Sequence, residues 1–249
     1  MAQVSALWRH PIKGHGRESV ETVKLTIGET MPWDRRWAVA HELAEADGSA
    51  WVASANFSRG SKNGALMAIN ASCDPASGTV TLSHPELPDL TFDPDKDQDE
   101  FLRWVRPLMP ANRAQSVRIV RVEGRGMTDT DYASISLLNV ASNDDVSEKM
   151  QQTLSVLRWR CNVHVSGFAA WTESTWLGKT LRIGGAVLEV QEPILRCKAT
   201  TADPATGIQD ADTLQALNTH YGHQNFGVYA KVTQSGDVRV GDKVEVLAQ

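Results

Sequence analysis

In the run PILRCKATT, residues 193–201, a cysteine lies between two fixed cations: Arg196, Cys197 and Lys198. The thiolate is the nucleophilic and metal-binding form of cysteine, and neighbouring cations favour it. In a strand, however, successive side chains leave opposite faces, which puts both flanking charges across the backbone from the sulfur. The local residues therefore fit either a reactive thiol or a buried, inert one. The other two cysteines carry less: Cys73 precedes an Asp-Pro turn without basic neighbours, and Cys161 follows Arg160 at the start of a strand, where a core position is expected.

Other chemistry-bearing patterns are incomplete. HELAE at 41–45 has Glu45 where a zinc-protease helix needs a second histidine. Gly178-Lys179-Thr180 ends like a P-loop, but Glu173 stands where the first glycine is required. His220 and His223 form an HxxH pair with no third ligand nearby in sequence. There is no GxSxG elbow for a serine nucleophile.

The elements that must position these residues belong to a chain of 249 residues, enough for one large or two small units with a real core. Hydrophobic residues make up 41% and charged residues 22%, as in ordinary globular proteins. A net charge of −5 argues against a nucleic-acid footprint. Three cysteines without a CxxC do not make a disulfide scaffold, so a reducing, cytoplasmic setting is expected. Neither a signal peptide nor a membrane span is expected, because no long apolar run occurs.

VETVKLTIGE and RRWAVAHEL read as strands, and ALMAINASCDPASGTVTLSH as two apolar runs joined by turn chemistry. DPDKDQDEF marks a boundary. A short helix over DEFLRWVRPLM follows, then a strand at SVRIVRVEG. ASNDDVSEKMQQTLSVLRWR is the clearest helix, with Val146, Met150, Leu154 and Leu157 on one face. CNVHVSG, KTLRIGGAVLEVQEPILRC and NFGVYAKVTQSGDVRVGDKVEVL return to strands, and ADTLQAL forms a helix of about two turns. The pattern predicts a mainly β fold with a few helices (α+β), its C-terminal half a barrel or sandwich.

EPILRCKATTADPATG resembles the signature of the MOSC superfamily, the domain found at the C-terminus of molybdenum cofactor sulfurases. The matching residues are Arg196-Cys197, Thr200-Thr201 and the turn Asp203-Pro204 to Gly207. HPIKG, WDRRW at 33–37, YASISLLNVAS, RWRCNVHVSG, GVYAKV and VRVGDKVEV resemble further family segments in the same order. Within the family the chain resembles amidoxime-reducing components and their bacterial counterparts. The resemblance implies an N-terminal β-barrel domain over 1–95 and a MOSC β-barrel over 96–249.

It also implies a molybdenum cofactor (molybdopterin), with Cys197 as the metal ligand and catalytic centre. A soft thiolate suits a metal already bound by sulfur. Lys13, Arg35 and Arg160 would contact phosphate or pterin, with Gly14 and Asn162 beside them. Asp131, Tyr132 and Ala133 would line the pterin, and Arg196 would sit at its edge. Gly14 replaces a family hydroxyl, Ala133-Ser134 replaces Ser-Pro, and Cys161 replaces a proline.

The implied activity is reduction of N-hydroxylated compounds such as hydroxylamines and amidoximes. Three cysteines are too few for the usual iron–sulfur ligation, and no Rossmann fingerprint is present, so electrons must come from a partner redox protein. The alternatives are a carrier of cofactor or persulfide sulfur, and a module that binds another phosphorylated ligand.

Overall fold

The computed structural model describes residues 1–247. Strands outweigh helices throughout. The first strands are β1 (Gln3–Arg9), β2 (Ile12–Lys13), β3 (Glu18–Val20), β4 (Thr22–Leu25) and β5 (Trp37–His41). Next come β6 (Asn70–Asp74), β7 (Thr79–His84), β8 (Leu87–Phe92), helix α1 (Gln98–Val105) and β9 (Ser116–Val120). The rest comprises β10 (Ile135–Asn139), α2 (Val140–Met150), β11 (Val163–Ser166), β12 (Thr180–Ile183) and β13 (Ala186–Leu195). The series ends with α3 (Thr213–Tyr221), β14 (Asn225–Gln234), β15 (Gly236–Arg239) and β16 (Val244–Val246).

Eight strands form the main sheet in the order β16-β12-β13-β14-β10-β11-β1-β3. A bridge from Gln3 to Lys243, with Val4 N–H donating to the Asp242 carbonyl at 2.8 Å, brings β1 against the lead into β16. The sheet therefore curls towards a barrel around Leu7, Leu137, Val163, Leu188 and Val228. Two three-stranded sheets, β2-β5-β9 and β6-β7-β8, pack with α1 around Trp37, Leu82, Phe92 and Phe101. β1 and β3 join the large sheet while β9 joins a small one, so both draw on chain from either side of position 95.

β10 is buried along its whole length because both faces are covered. Leu137 points into the core of the large sheet, whereas Leu138 packs with Val146, Trp159, Cys161 and Phe226 under the helical layer. Asn139 caps α2 by accepting from Ala141 N–H at 3.3 Å. The helix stops at Gln151, which takes the left-handed conformation (φ 51°). Leu154 and Leu157, expected on the helix, fall outside it. Leu154 returns to the core, its N–H donating to Ser147 Oγ at 3.1 Å, and Leu157 lies in a 3₁₀ turn over Val156–Trp159. Apolar spacing persisted there, but the backbone reversal at Gln151 ended the helix. ALMA likewise lies in a 3₁₀ turn, Gly64–Ala68, rather than in a strand.

Candidate functional site

HPIKG and WDRRW are laced together. His10 N–H donates to Asp34 Oδ1 at 2.7 Å, and Arg35 N–H donates to the His10 carbonyl at 2.7 Å. β2 runs parallel to β5, pairing Lys13 with Ala38. Arg36 stacks on Trp33 and Trp37, its guanidinium 4.9 and 5.1 Å from their rings. Its neighbour Arg35 faces a cleft instead, paired with Asp34 and donating through Nη2 to the Arg160 carbonyl at 3.1 Å.

The cleft has a volume of about 480 Å³. Among its lining residues are Lys13, Gly14, Arg35, Arg160, Arg196 and Cys197. These come from β2, the loop before β5, the turn before β11 and the end of β13, so residues far apart in sequence share one cavity. Arg35 and Arg160 both have left-handed backbones (φ 51° and 49°). Such conformations cost a non-glycine residue on the order of 1–2 kcal/mol and concentrate at functional sites. Gly14 is left-handed as well (φ 76°), and a Cβ there would lie 2.8 Å from the Ser58 carbonyl oxygen. This contact explains glycine in place of a hydroxyl residue.

The cleft is crowded with positive charge. Lys13 Nζ donates to Asp129 Oδ1 at 2.6 Å and to the Met127 carbonyl at 2.7 Å. Burial lowers the affinity of Lys13 for its proton, and Asp129 opposes that shift. Asp129 lies half exposed to the cleft; burial pushes its carboxyl up, but Lys13 and Arg35 outweigh this and hold it at about 2. Arg160 donates through Nη2 to the Gly16 carbonyl at 3.1 Å, while its Nη1 is buried without a partner. Burial, then Arg35 and Arg17, push the Arg160 guanidinium down to about 9. Three cations thus face two carboxylates, with a donor left over. That donor set suits a multiply charged oxyanion, and an arginine fork suits phosphate in particular.

Cys197 is a free, exposed cysteine at the start of a 3₁₀ turn, Lys198–Thr201. Thr200 holds this turn: its N–H and Oγ1 donate to the Cys197 carbonyl at 3.2 and 3.1 Å. Its hydroxyl also meets Thr213 Oγ1 at 2.6 Å. The following turn is tied by Asp203 Oδ1, which accepts from Ala205 and Thr206 N–H at 2.7 and 3.1 Å. Gly207 (φ 75°) lets this turn touch the N-terminal half, since a Cβ there would lie 2.6 Å from Ala65 Cα.

Arg196 lines the cleft with its guanidinium committed to the protein. Nη1 donates to the Trp159 carbonyl at 2.7 Å, and Nε and Nη2 to that of Phe226 at 2.8 and 2.5 Å. Nη2 also reaches Cys161 Sγ at 3.1 Å. Cys161 is therefore a buried acceptor for Arg196 and lies outside the cleft. Asn162 lies outside the lining too. Its Oδ1 accepts from Ser136 N–H and Oγ at 3.1 and 2.7 Å, and Nδ2 donates to the Trp8 carbonyl at 3.1 Å. It joins β10 to β1 beside the turn that carries Arg160.

Asp131, Tyr132 and Ala133 are likewise absent from the lining. Thr130 Oγ1 donates to the Tyr132 carbonyl at 2.7 Å and meets Ser134 Oγ at 2.8 Å, fixing a turn that leaves Asp131 exposed. Tyr132 instead donates its hydroxyl to Glu192 Oε1 at 2.7 Å. The carboxylate that enters the cleft is Asp129, two positions earlier. Sequence reading missed Asp129, Tyr229 and Arg158 as site residues, although Asp129 lies two positions before the segment singled out and Arg158 and Tyr229 lie within RWRCNVHVSG and GVYAKV.

The MOSC N-terminal beta barrel domain matches residues 1–140, and the MOSC domain matches residues 125–245. The chain belongs to the MOSC family. Among curated proteins it is similar to mitochondrial amidoxime-reducing component 1 of Danio rerio, 25% identical over 97% of this chain and 83% of that protein. It is also similar to component 1 of Mus musculus, 29% identical over 56% of this chain and 45% of that protein. Component 2 of Homo sapiens is 31% identical over 46% of this chain and 37% of that protein. Several matches thus span less than half of the relative's length. Among solved structures, the YUAD protein from Bacillus subtilis aligns over 98% of this chain and 94% of its own, at 13% identity and a TM-score of 0.48.

Proposed function

We propose that this protein is a molybdenum-cofactor-dependent reductase of N-hydroxylated compounds. The single observation that carries the reading is the placing of an exposed cysteine, Cys197, in one cleft with Lys13, Arg35 and Arg160. The residues fit the group. Lys13, Arg35 and Arg160 would hold its phosphate, and the unpartnered Arg160 Nη1 supplies a waiting donor. Cys197 would offer the sulfur. Among the described residues no cluster of three or more His, Cys, Asp or Glu could hold a metal, so the remaining ligands would come from the cofactor. A metal already bound by sulfur accepts one further thiolate readily.

When bound, the cofactor supplies two-electron removal of oxygen from nitrogen. Overall, an N–OH group, two electrons and two protons become N–H and water. The reductant is a separate redox protein, because the chain carries no set of cysteines sufficient for an iron–sulfur cluster. Gly14 lets backbone approach the site, and Arg196 anchors the Cys197 segment through the carbonyls of Phe226 on β14 and Trp159 in the turn Val156–Trp159. Met67, Ile194 and Trp159 give the cleft an apolar part of its wall. No described helix is long and apolar enough to cross a membrane.

The test is protein produced in a host that makes the cofactor. It should carry molybdenum and pterin in equal amounts and reduce benzamidoxime with an artificial donor. Cys197→Ser should lose at least 99% of the rate, about 3 kcal/mol in the barrier, with an unfolding midpoint close to wild type. Cofactor that is retained and passed to an apo-enzyme, without any turnover, would instead identify a carrier.

A further inference from the structure

The cleft holds a second set of cations beyond the three assigned above to the cofactor. Arg59 and Lys62 come from the loop after the 3₁₀ turn Ser54–Asn56, and Lys198 follows Cys197. Lys13 and Arg35 are each matched by a carboxylate. Arg59, Lys62 and Lys198 have none within ion-pair distance among the described residues. Arg59 donates through Nη1 to Ser54 Oγ at 3.0 Å, which fixes its head without neutralising it.

A further donor stands behind them. Arg158 is 1% exposed and lines the same cleft. Its Nη2 meets Asp203 Oδ2 at 3.2 Å and Asp210 at 2.8 Å, but Nε and Nη1 are buried without partners. The turn that carries it packs on the turn of Lys198. Unmatched like charges on a concave surface, in a chain whose net charge is −5, concentrate anions locally. Beside them Leu195, 73% exposed, offers apolar surface at the mouth.

We propose that Arg59, Lys62 and Lys198 form a substrate subsite for an anionic group, a carboxylate or a phosphate. The preferred substrate then has an apolar body, an N–OH group directed at the Cys197 side and an anion directed at Lys62. This rests on the reductase reading, and it sets the substrate class within it.

The experiment uses cofactor-loaded full chain, a small artificial reductant and low ionic strength. Benzamidoxime is compared with its 4-carboxy and 4-phosphono derivatives, whose relative rates tell carboxylate from phosphate. At least one charged compound should show kcat/KM about tenfold above the neutral one, a difference of about 1.4 kcal/mol shared among three cations at low ionic strength. Lys62→Glu should abolish that preference and Lys62→Arg should keep it. Equal kcat/KM for all three in wild type, or a preference untouched in both Lys62→Glu and Arg59→Gln, overturns the subsite. Binding of 4-carboxy- and 4-phosphonobenzamidine, read as the rise in unfolding midpoint, separates the two claims. If no amidoxime is reduced yet that rise depends on Lys62, the reductase reading falls and the subsite stands. A preference that appears only with a protein donor marks the cluster as a docking face and sinks the proposal.

Discussion

Arg160 is held where it is uncomfortable. Its backbone is left-handed, one of its donors is orphaned, and Arg35 and Arg17 repel its charge. Such an arrangement is rewarded only when an anion arrives. Arg160→Met should therefore unfold at no lower temperature than wild type in phosphate-free buffer. Adding phosphate at a hundred times its Kd should stabilise wild type by about 2.7 kcal/mol. The variant should gain almost nothing, and a phosphate response surviving in Arg160→Met would remove this residue from the anion site. Arg196 is the opposite case. Sequence reading placed it at the cofactor's edge, yet carbonyls and the Cys161 sulfur take up its donors. The strand alternation expected from the sequence does not extend to Cys197: β13 ends at Leu195, and Arg196, Cys197 and Lys198 all line the cleft, with Lys198 exposed like the cysteine.

Among the elements, α2 shows how a good apolar spacing can outrun a helix. Val146 is buried on it, and Leu154 is buried past its end. Gln151 reverses the chain so that the 3₁₀ turn after it can deliver Arg158 and Arg160 to the cleft. A glycine there pays no Cβ penalty in the left-handed region. Gln151→Gly should raise stability by about 1 kcal/mol or leave it unchanged, read from chemical denaturation. A loss beyond 1 kcal/mol would mean that the Gln151 side chain matters more than its backbone. The turn after Cys197 was legible in the sequence, since Thr200, Asp203 and Gly207 belong to one motif. What they do there, binding the Cys197 carbonyl and pressing against Ala65, was not.

For the whole molecule, buried histidines set the acid limit. His15 and His164 are fully enclosed, and burial pushes each down to about 4. His10, buried beside Asp34 and near Arg160, is pushed well below its ordinary value, burial being the main cause. The folded values lie below the unfolded value of about 6.5, so between pH 6.5 and 4 the unfolded chain binds protons that the fold refuses. Stability is then full above pH 6.5 and falls as pH drops towards 4. Each of His15 and His164 contributes up to about 3 kcal/mol. Urea midpoints measured from pH 7.5 to 4.5 should decline steadily. A flat profile, or a His15→Gln variant with an unaltered slope, would contradict the assignment.

The sequence by itself determined the strand-rich composition, the turn residues and the ordered motifs, because alternation, caps and glycines are local properties of the chain. The resemblance of its ordered motifs to the MOSC family, rather than any local pattern, singled out Cys197, Lys13, Arg35 and Arg160. Only the tertiary structure decided that these four share a cleft, that Asp129 rather than Asp131 faces Lys13, and that Asn162 and Cys161 support rather than line it. The reason is physical: whether a charge meets another charge depends on strand pairing and left-handed turns that bring distant segments together, and no local pattern encodes that distance.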